Sequence, residues 1–239
     1  MHQLGQTRSV RRADHILQTP DTFVRAALPG MQGATAIVHV NPAAGARFTQ
    51  YTAEFEAAGQ LGPSDAQRFV YVLEGTLSVN GNSLVAGDYV YLPAGSQIAV
   101  TAQDKARAEV IEKPYLPLPG VAAPQVLFGS ESQVQSQPLM GDPWLEVRPL
   151  LPDQPAFDFA VNTMSYHPGA ALSMVEIHVM EHGLLMLEGG GIYRLGDCWY
   201  AVTAGDFIWM AAYCPQWFGA LGKTPAKYLI YKDWNRHPL

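Results

Sequence analysis

Val70-Tyr71-Val72-Leu73-Glu74-Gly75-Thr76-Leu77-Ser78-Val79 returns 114 residues later as Leu184-Leu185-Met186-Leu187-Glu188-Gly189-Gly190-Gly191-Ile192-Tyr193. A second pair, Gly87-Asp88-Tyr89-Val90-Tyr91-Leu92 and Gly205-Asp206-Phe207-Ile208-Trp209-Met210, repeats at an offset of 118, so the later copy carries four extra residues in between, around Leu195-Gly196-Asp197-Cys198. Self-similarity at this spacing implies two copies of one architecture. Each copy is a string of short apolar runs punctuated by glycine, and Asn80-Gly81 between two alternating runs is the signal of a type I′ hairpin. No amphipathic helix of useful length interrupts them. The pattern predicts an all-β chain of two small antiparallel barrels produced by internal duplication.

The joint between the copies is expected in the Pro-, Gly-, Ser- and Gln-rich segment of residues 121–158. That places an N-terminal arm and first barrel in residues 1–120 and the second barrel in residues 159–239.

Just ahead of the second repeat lies Glu176-Ile177-His178-Val179-Met180-Glu181-His182. Alternation from Val175 to Val179 predicts a strand that points Glu176 and His178 to one face. Four extended residues span roughly 13 Å at about 3.3 Å each, too far for His178 and His182 to share an ion. The chain must therefore turn through Met180 and Glu181 and return His182 on a neighbouring strand. The same letters fit the inverted zinc-protease pattern H-x-x-E-H, which needs a helix of about ten residues. Gly183, the glycines at 189–191 and the β-branched flanks argue against that helix. The remaining alternative is that both histidines are ordinary core or surface residues.

Composition narrows the function classes. Across 239 residues, 48% are hydrophobic and 15% charged, which suits compact sheet-rich barrels and opposes disorder. A net charge of -6 offers no basic face for nucleic acid, so small molecules or copies of the chain are the expected partners. Cys198 and Cys214, each in an apolar segment, suggest no disulfide framework. No apolar run reaches about 18 residues, and Arg8, Arg11, Arg12 and Asp14 precede any apolar segment, so neither a membrane span nor a secretory leader is expected. The expectation is a cytoplasmic protein. Barrel edges and apolar strands further suggest a homo-oligomer.

The arrangement resembles the cupin superfamily, and a jelly-roll bicupin in particular. The first cupin motif, G-x5-H-x-H-x3-4-E-x6-G, is followed with substitutions by Gly169, Glu176, His178, His182 and Gly189. Six residues, not five, separate Gly169 from Glu176; glutamate stands in the first histidine position and histidine in the glutamate position. The second motif, G-x5-P-x-G-x2-H, is legible in the first copy as Gly87, Pro93, Gly95 and Ile98, and carrying Ile98 forward by 118 lands on Gln216. Glu176, His178, His182 and Gln216 thus form a candidate metal set. Run backwards, the offsets give Gly62, Ser64, Arg68 and Ile98, so the first barrel is expected to hold no metal, and its His39 reads as a structural strand residue.

Two imidazoles, a carboxylate and a carboxamide favour Mn²⁺ or another six-coordinate divalent ion and leave positions open for substrate. This cluster, with Tyr228-Leu229-Ile230-Tyr231-Lys232-Asp233-Trp234-Asn235-Arg236 near the C-terminus, is similar to the (S)-ureidoglycine aminohydrolase family. The resemblance implies Mn²⁺-dependent hydrolysis of (S)-ureidoglycine to (S)-ureidoglycolate and ammonia in purine degradation, downstream of allantoate. It implies metal ligands at Glu176, His178, His182 and Gln216 and substrate contacts at Tyr193, Tyr228 and Lys232; for the proton transfer that such a reaction needs, Glu176 is one candidate, with Lys232 and Tyr228 as rivals. Tyr228 and Lys232, four residues apart, share a strand face. Two rival readings are an Fe²⁺ cupin dioxygenase or isomerase acting on a small carboxylate, and a cupin that only binds a small ligand.

Overall fold

A computed structural model of the chain describes residues 6–233; Trp234, Asn235 and Arg236, part of the stretch behind the family resemblance, lie outside the described residues. The described residues form antiparallel sheet interrupted by three short 3₁₀ turns. They divide into two compact units.

One unit comprises Val24–Val134 and Gln154–Asp158. Its sheet curls around the long pair Met31–Val40 and Thr49–Leu61, with Gln67–Glu74 between Ala106–Lys113 and Asp88–Leu92. Alternation along these strands sends Tyr51, Phe55, Val70, Val72, Leu77, Val79 and Val110 into one apolar cluster. Each such burial is worth roughly 1.5–3 kcal/mol before entropy is counted. Asn80 and Gly81 turn the hairpin at φ 49° and 80°, as the type I′ geometry requires. His39 is buried in its strand and bonds the Thr52 hydroxyl at 2.8 Å.

The other unit comprises, among the described residues, those up to Phe23, Gln135–Asp153 and those from Phe159 to Asp233. Its larger sheet has eight strands, with His182–Glu188 and Ala226–Lys232 near the centre, and a second sheet sets Gly190–Leu195 between Cys198–Thr203 and Gln216–Ala220. The apolar inner faces meet over Tyr166, Leu184, Met186, Tyr193, Phe218 and Tyr228.

The duplication reappears as backbone geometry. Gly87 N–H bonds the Val72 carbonyl at 2.9 Å in one unit, and Gly205 N–H bonds the Met186 carbonyl at 2.8 Å in the other. Gly75 and Gly189 both take positive φ (77° and 63°), and a Cβ at either would meet a backbone carbonyl oxygen at 2.4 Å. The Glu-Gly step recurs because no other residue fits beneath that crossing strand.

The units divide differently from the boundaries that composition suggests. His15–Gln18, expected in an arm grouped with the first barrel, pairs with Phe207–Met210 in the later unit. Arg8 secures this segment through two bonds to the buried Asp206 carboxylate, 2.6 and 2.8 Å. Within the expected linker, Leu127–Ser130 pairs with Asp88–Leu92, while Gln137–Leu139 and Asp142–Pro149 extend the eight-stranded sheet. Proline hides these strands from a composition-based reading, yet Pro138 lies on the outermost strand, where proline is tolerated.

Candidate metal centre

The strand expected over Val175–Val179 does not form. Glu176 makes a single antiparallel bridge with Gln216, its N–H to the Gln216 carbonyl at 2.8 Å and the reciprocal bond at 2.9 Å, and the flanking backbone is irregular. Without a second row of ladder bonds, alternation alone cannot hold the segment extended. The reversal expected through Met180 and Glu181 falls one residue earlier, as a bend at Val179 and Met180, after which His182 opens the strand His182–Glu188. No helix spans His178–His182.

This path brings the two imidazoles together. His178 Nδ1 lies 2.8 Å from His182 Nε2, with the rings edge to face at 5.0 Å between centroids. Gln216, opening its own strand, places its carboxamide nitrogen 3.2 Å from the same His178 Nδ1. Tyr193 donates its hydroxyl to the Gln216 carboxamide oxygen at 3.4 Å. Glu176 Oε2 lies 3.5 Å from His178 Nε2, on the other side of the ring from the His182 contact.

Burial sets the electrostatics. Desolvation pushes His182 down to about 3, helped by His178 and the Lys232 ammonium, and lowers His178 in the same sense. Glu176 is raised by burial against the opposing pull of Lys232. Lys232 is lowered by its own burial, with Glu176 and Asp153 resisting. Two neutral imidazoles with converging nitrogens beside a carboxamide are the donor state a divalent cation requires, so these residues fit a metal ion. His182 Nδ1 is buried without a hydrogen bond of normal geometry among the described residues.

The candidate substrate residues line the same barrel. Ala226–Lys232 is paired on both edges, with Tyr228 opposite Met164 and Met186, and Lys232 opposite Ala160 and His182. With its amide turned to satisfy its neighbours, Asn162 accepts a hydrogen bond from Lys232 Nζ at 3.1 Å. Tyr193 and Tyr228 are fully enclosed, and burial holds both phenols well above their usual range.

Two residues escaped the sequence reading. Tyr166 shares a 2.8 Å hydroxyl–hydroxyl bond with Tyr228 and sets its ring edge-on to Phe218. It gives no sequence signal beyond being a strand aromatic. Tyr213 adopts φ 64° and donates its N–H to the His178 carbonyl at 2.6 Å. The 118 offset places it on Gly95 (φ 73°), so the duplication did carry a signal for a left-handed residue there.

In the earlier unit the corresponding register holds Arg68 opposite Glu112, where the later unit sets His182 opposite Lys232. Arg68 Nε bonds Glu112 at 2.6 Å and Nη1 bonds the Gly62 carbonyl at 2.8 Å. An ion pair fills the place of the imidazole cluster.

Comparison with known proteins agrees with both barrels. Residues 42–115 match the EutQ-like cupin domain and residues 162–231 the Cupin domain. The chain is 41% identical over 98% of its length to (S)-ureidoglycine aminohydrolase of Arabidopsis thaliana, covering 80% of that protein. It is 31% identical to the Escherichia coli (strain K12) protein of the same name, over 98% of this chain and 93% of that one. A solved structure from Pseudomonas aeruginosa superposes with a TM-score of 0.90 at 28% identity, covering 100% of this chain and 95% of the other.

Proposed function

Because the chain belongs to the (S)-ureidoglycine aminohydrolase family, a family of bicupin enzymes, we propose that it hydrolyses (S)-ureidoglycine to (S)-ureidoglycolate and ammonia in purine breakdown, downstream of allantoate. The observation that carries this reading is the near-full-length identity to the curated relatives together with the convergence of His178, His182 and Gln216 beside Glu176.

Glu176, His178, His182 and Gln216 would hold Mn²⁺ or a related divalent ion, which supplies Lewis-acid polarisation and charge stabilisation when bound. The carbon to be attacked bears a carboxylate, a ureido group and an amine. Lys232 is the cation for the carboxylate, since its partly buried ammonium has Glu176 and Asp153 as counter-charges. Tyr193 and Tyr228 contribute phenol hydroxyls that burial keeps protonated and therefore able to donate. In the reaction the C–N bond to the amine breaks, ammonia leaves with an added proton, and water oxygen bonds to the same carbon. Burial raises Glu176 and lowers Lys232 towards each other's range, which suits these two groups to giving and taking that proton. Fixing all three substituents of one enantiomer accounts for a stereospecific product.

The test is ammonia release from freshly generated (S)-ureidoglycine, with and without a chelator and with Mn²⁺ restored. Release above the spontaneous rate that is lost to chelator and recovered with Mn²⁺ is expected. Release at the spontaneous rate under all conditions would overturn the assignment.

A further inference from the structure

A second group of metal-type side chains stands away from the histidine pair. Asp14, His15 and Cys214 bring one oxygen, one nitrogen and one sulfur within 4.8 Å of one another. His15 Nδ1 lies 2.8 Å from Asp14 Oδ1, and Cys214 Sγ lies 3.9 Å from Asp14 Oδ2. This is not the arrangement of a cysteine nucleophile, in which the imidazole stands between thiol and carboxylate. Here the carboxylate is in the middle, and the other imidazole nitrogen, Nε2, is engaged by the Tyr200 hydroxyl at 2.8 Å. The three side chains therefore gather around the Asp14 carboxylate, while Tyr200 holds the far nitrogen of the ring as the outer partner of a metal-bound histidine does.

Access and enclosure are both suited to an ion. His15 and Cys214 are 2% and 4% exposed, whereas the Asp14 side chain is 45% exposed and opens one side to solvent. The backbone at Gly196 closes another side, so tightly that a Cβ there would stand 2.8 Å from Asp14 Oδ2. We propose that Asp14, His15 and Cys214 form a second cation site, separate from Glu176, His178, His182 and Gln216, that takes Zn²⁺ with a fourth position open to solvent. The mixed sulfur, nitrogen and oxygen donors are borderline-soft and suit Zn²⁺, and three protein ligands leave one tetrahedral position free. Occupancy would tie residues 200 positions apart in sequence, joining the N-terminal strand to the segment that leads into Gln216.

The test uses Co²⁺ as a coloured stand-in for Zn²⁺ on the full chain after exhaustive chelation. The set at Glu176, His178, His182 and Gln216 has no sulfur, so a sulfur-to-cobalt charge-transfer band in the near ultraviolet reports a cysteine-bearing site and not that set, and substitution of each free cysteine tells Cys214 from Cys198. The band is expected in the unaltered chain and in Gln216→Ala, is expected to be displaced by Zn²⁺, and is expected to vanish in Cys214→Ser. Asp14→Asn, on a half-exposed side chain that threatens the fold least, should weaken cobalt binding about tenfold or more. Absence of the band, its persistence in Cys214→Ser, its loss in Cys198→Ser, or unchanged affinity in Asp14→Asn would each overturn the proposal.

Discussion

Tyr213 donates its backbone N–H to the His178 carbonyl at 2.6 Å from a left-handed conformation, φ 64°. Its duplicate, Gly95, sits at φ 73° without strain, whereas a bulky residue there costs on the order of 1–3 kcal/mol. With 65% of Tyr213 exposed, little burial offsets that cost. Tyr213→Gly should therefore raise stability by up to about 1 kcal/mol, and Tyr213→Val should lower it, because a β-branched side chain tolerates this region least. Urea denaturation of the two variants checks the sign. If Tyr213→Gly gains stability yet loses turnover, the tyrosine ring itself serves the site.

His182 is the buried half of the imidazole pair. His182→Gln keeps most of the volume and removes the imidazole donor. Metal affinity should fall by about a hundredfold or more, with ammonia release falling in parallel. Elemental analysis of the purified variant beside its circular dichroism separates lost binding from lost fold. A variant that retains full turnover without metal would sink the ligand assignment.

How much of this could be read beforehand follows from where the information resides. The Glu-Gly steps at Gly75 and Gly189 and the Asn80-Gly81 turn were legible because each needs backbone freedom that few residues supply. The duplication marks the position of Gln216, which lies 3.2 Å from His178. His15–Gln18 and Leu127–Ser130 were not, since four-residue strands are specified by the strand they pair with, and that partner is distant in sequence. Residues 175–179 misled in the opposite way: their alternation is real, yet Glu176 and His178 meet through an irregular path that, within these five residues, is fastened by one bridge from Glu176 to Gln216.

Tyr166 is joined to Tyr228 by a 2.8 Å bond between buried hydroxyls, so any role of Tyr228 in substrate binding should respond to Tyr166. Tyr166→Phe preserves the ring contact with Phe218 and leaves the Tyr228 hydroxyl without that partner. Losing one neutral hydrogen bond is worth about 1 kcal/mol, so a KM for (S)-ureidoglycine raised about fivefold is expected, with a smaller change in kcat. An unchanged KM would make Tyr166 a packing residue only. Tyr228→Phe should affect both constants.

His39 supplies a pH test that is independent of any metal. It is fully buried and bonded to Thr52, whose hydroxyl donates to Glu109 at 2.8 Å, and desolvation pushes its pKa down to about 3. In the unfolded chain the same imidazole titrates near 6.5. The folded state therefore binds fewer protons between those values: this contribution is fully present above pH 6.5 and is lost as pH falls towards 3. Glu109 runs the other way. Burial raises it to about 7, so its contribution is complete below the usual carboxylate range and is lost as pH rises to 7. Comparing unfolding free energies of the unaltered chain and His39→Gln isolates the histidine. Their difference should change by about 1.4 kcal/mol per pH unit from pH 6 to pH 4, the unaltered chain losing stability faster on acidification. Parallel curves over that interval would mean that His39 takes up its proton within the fold.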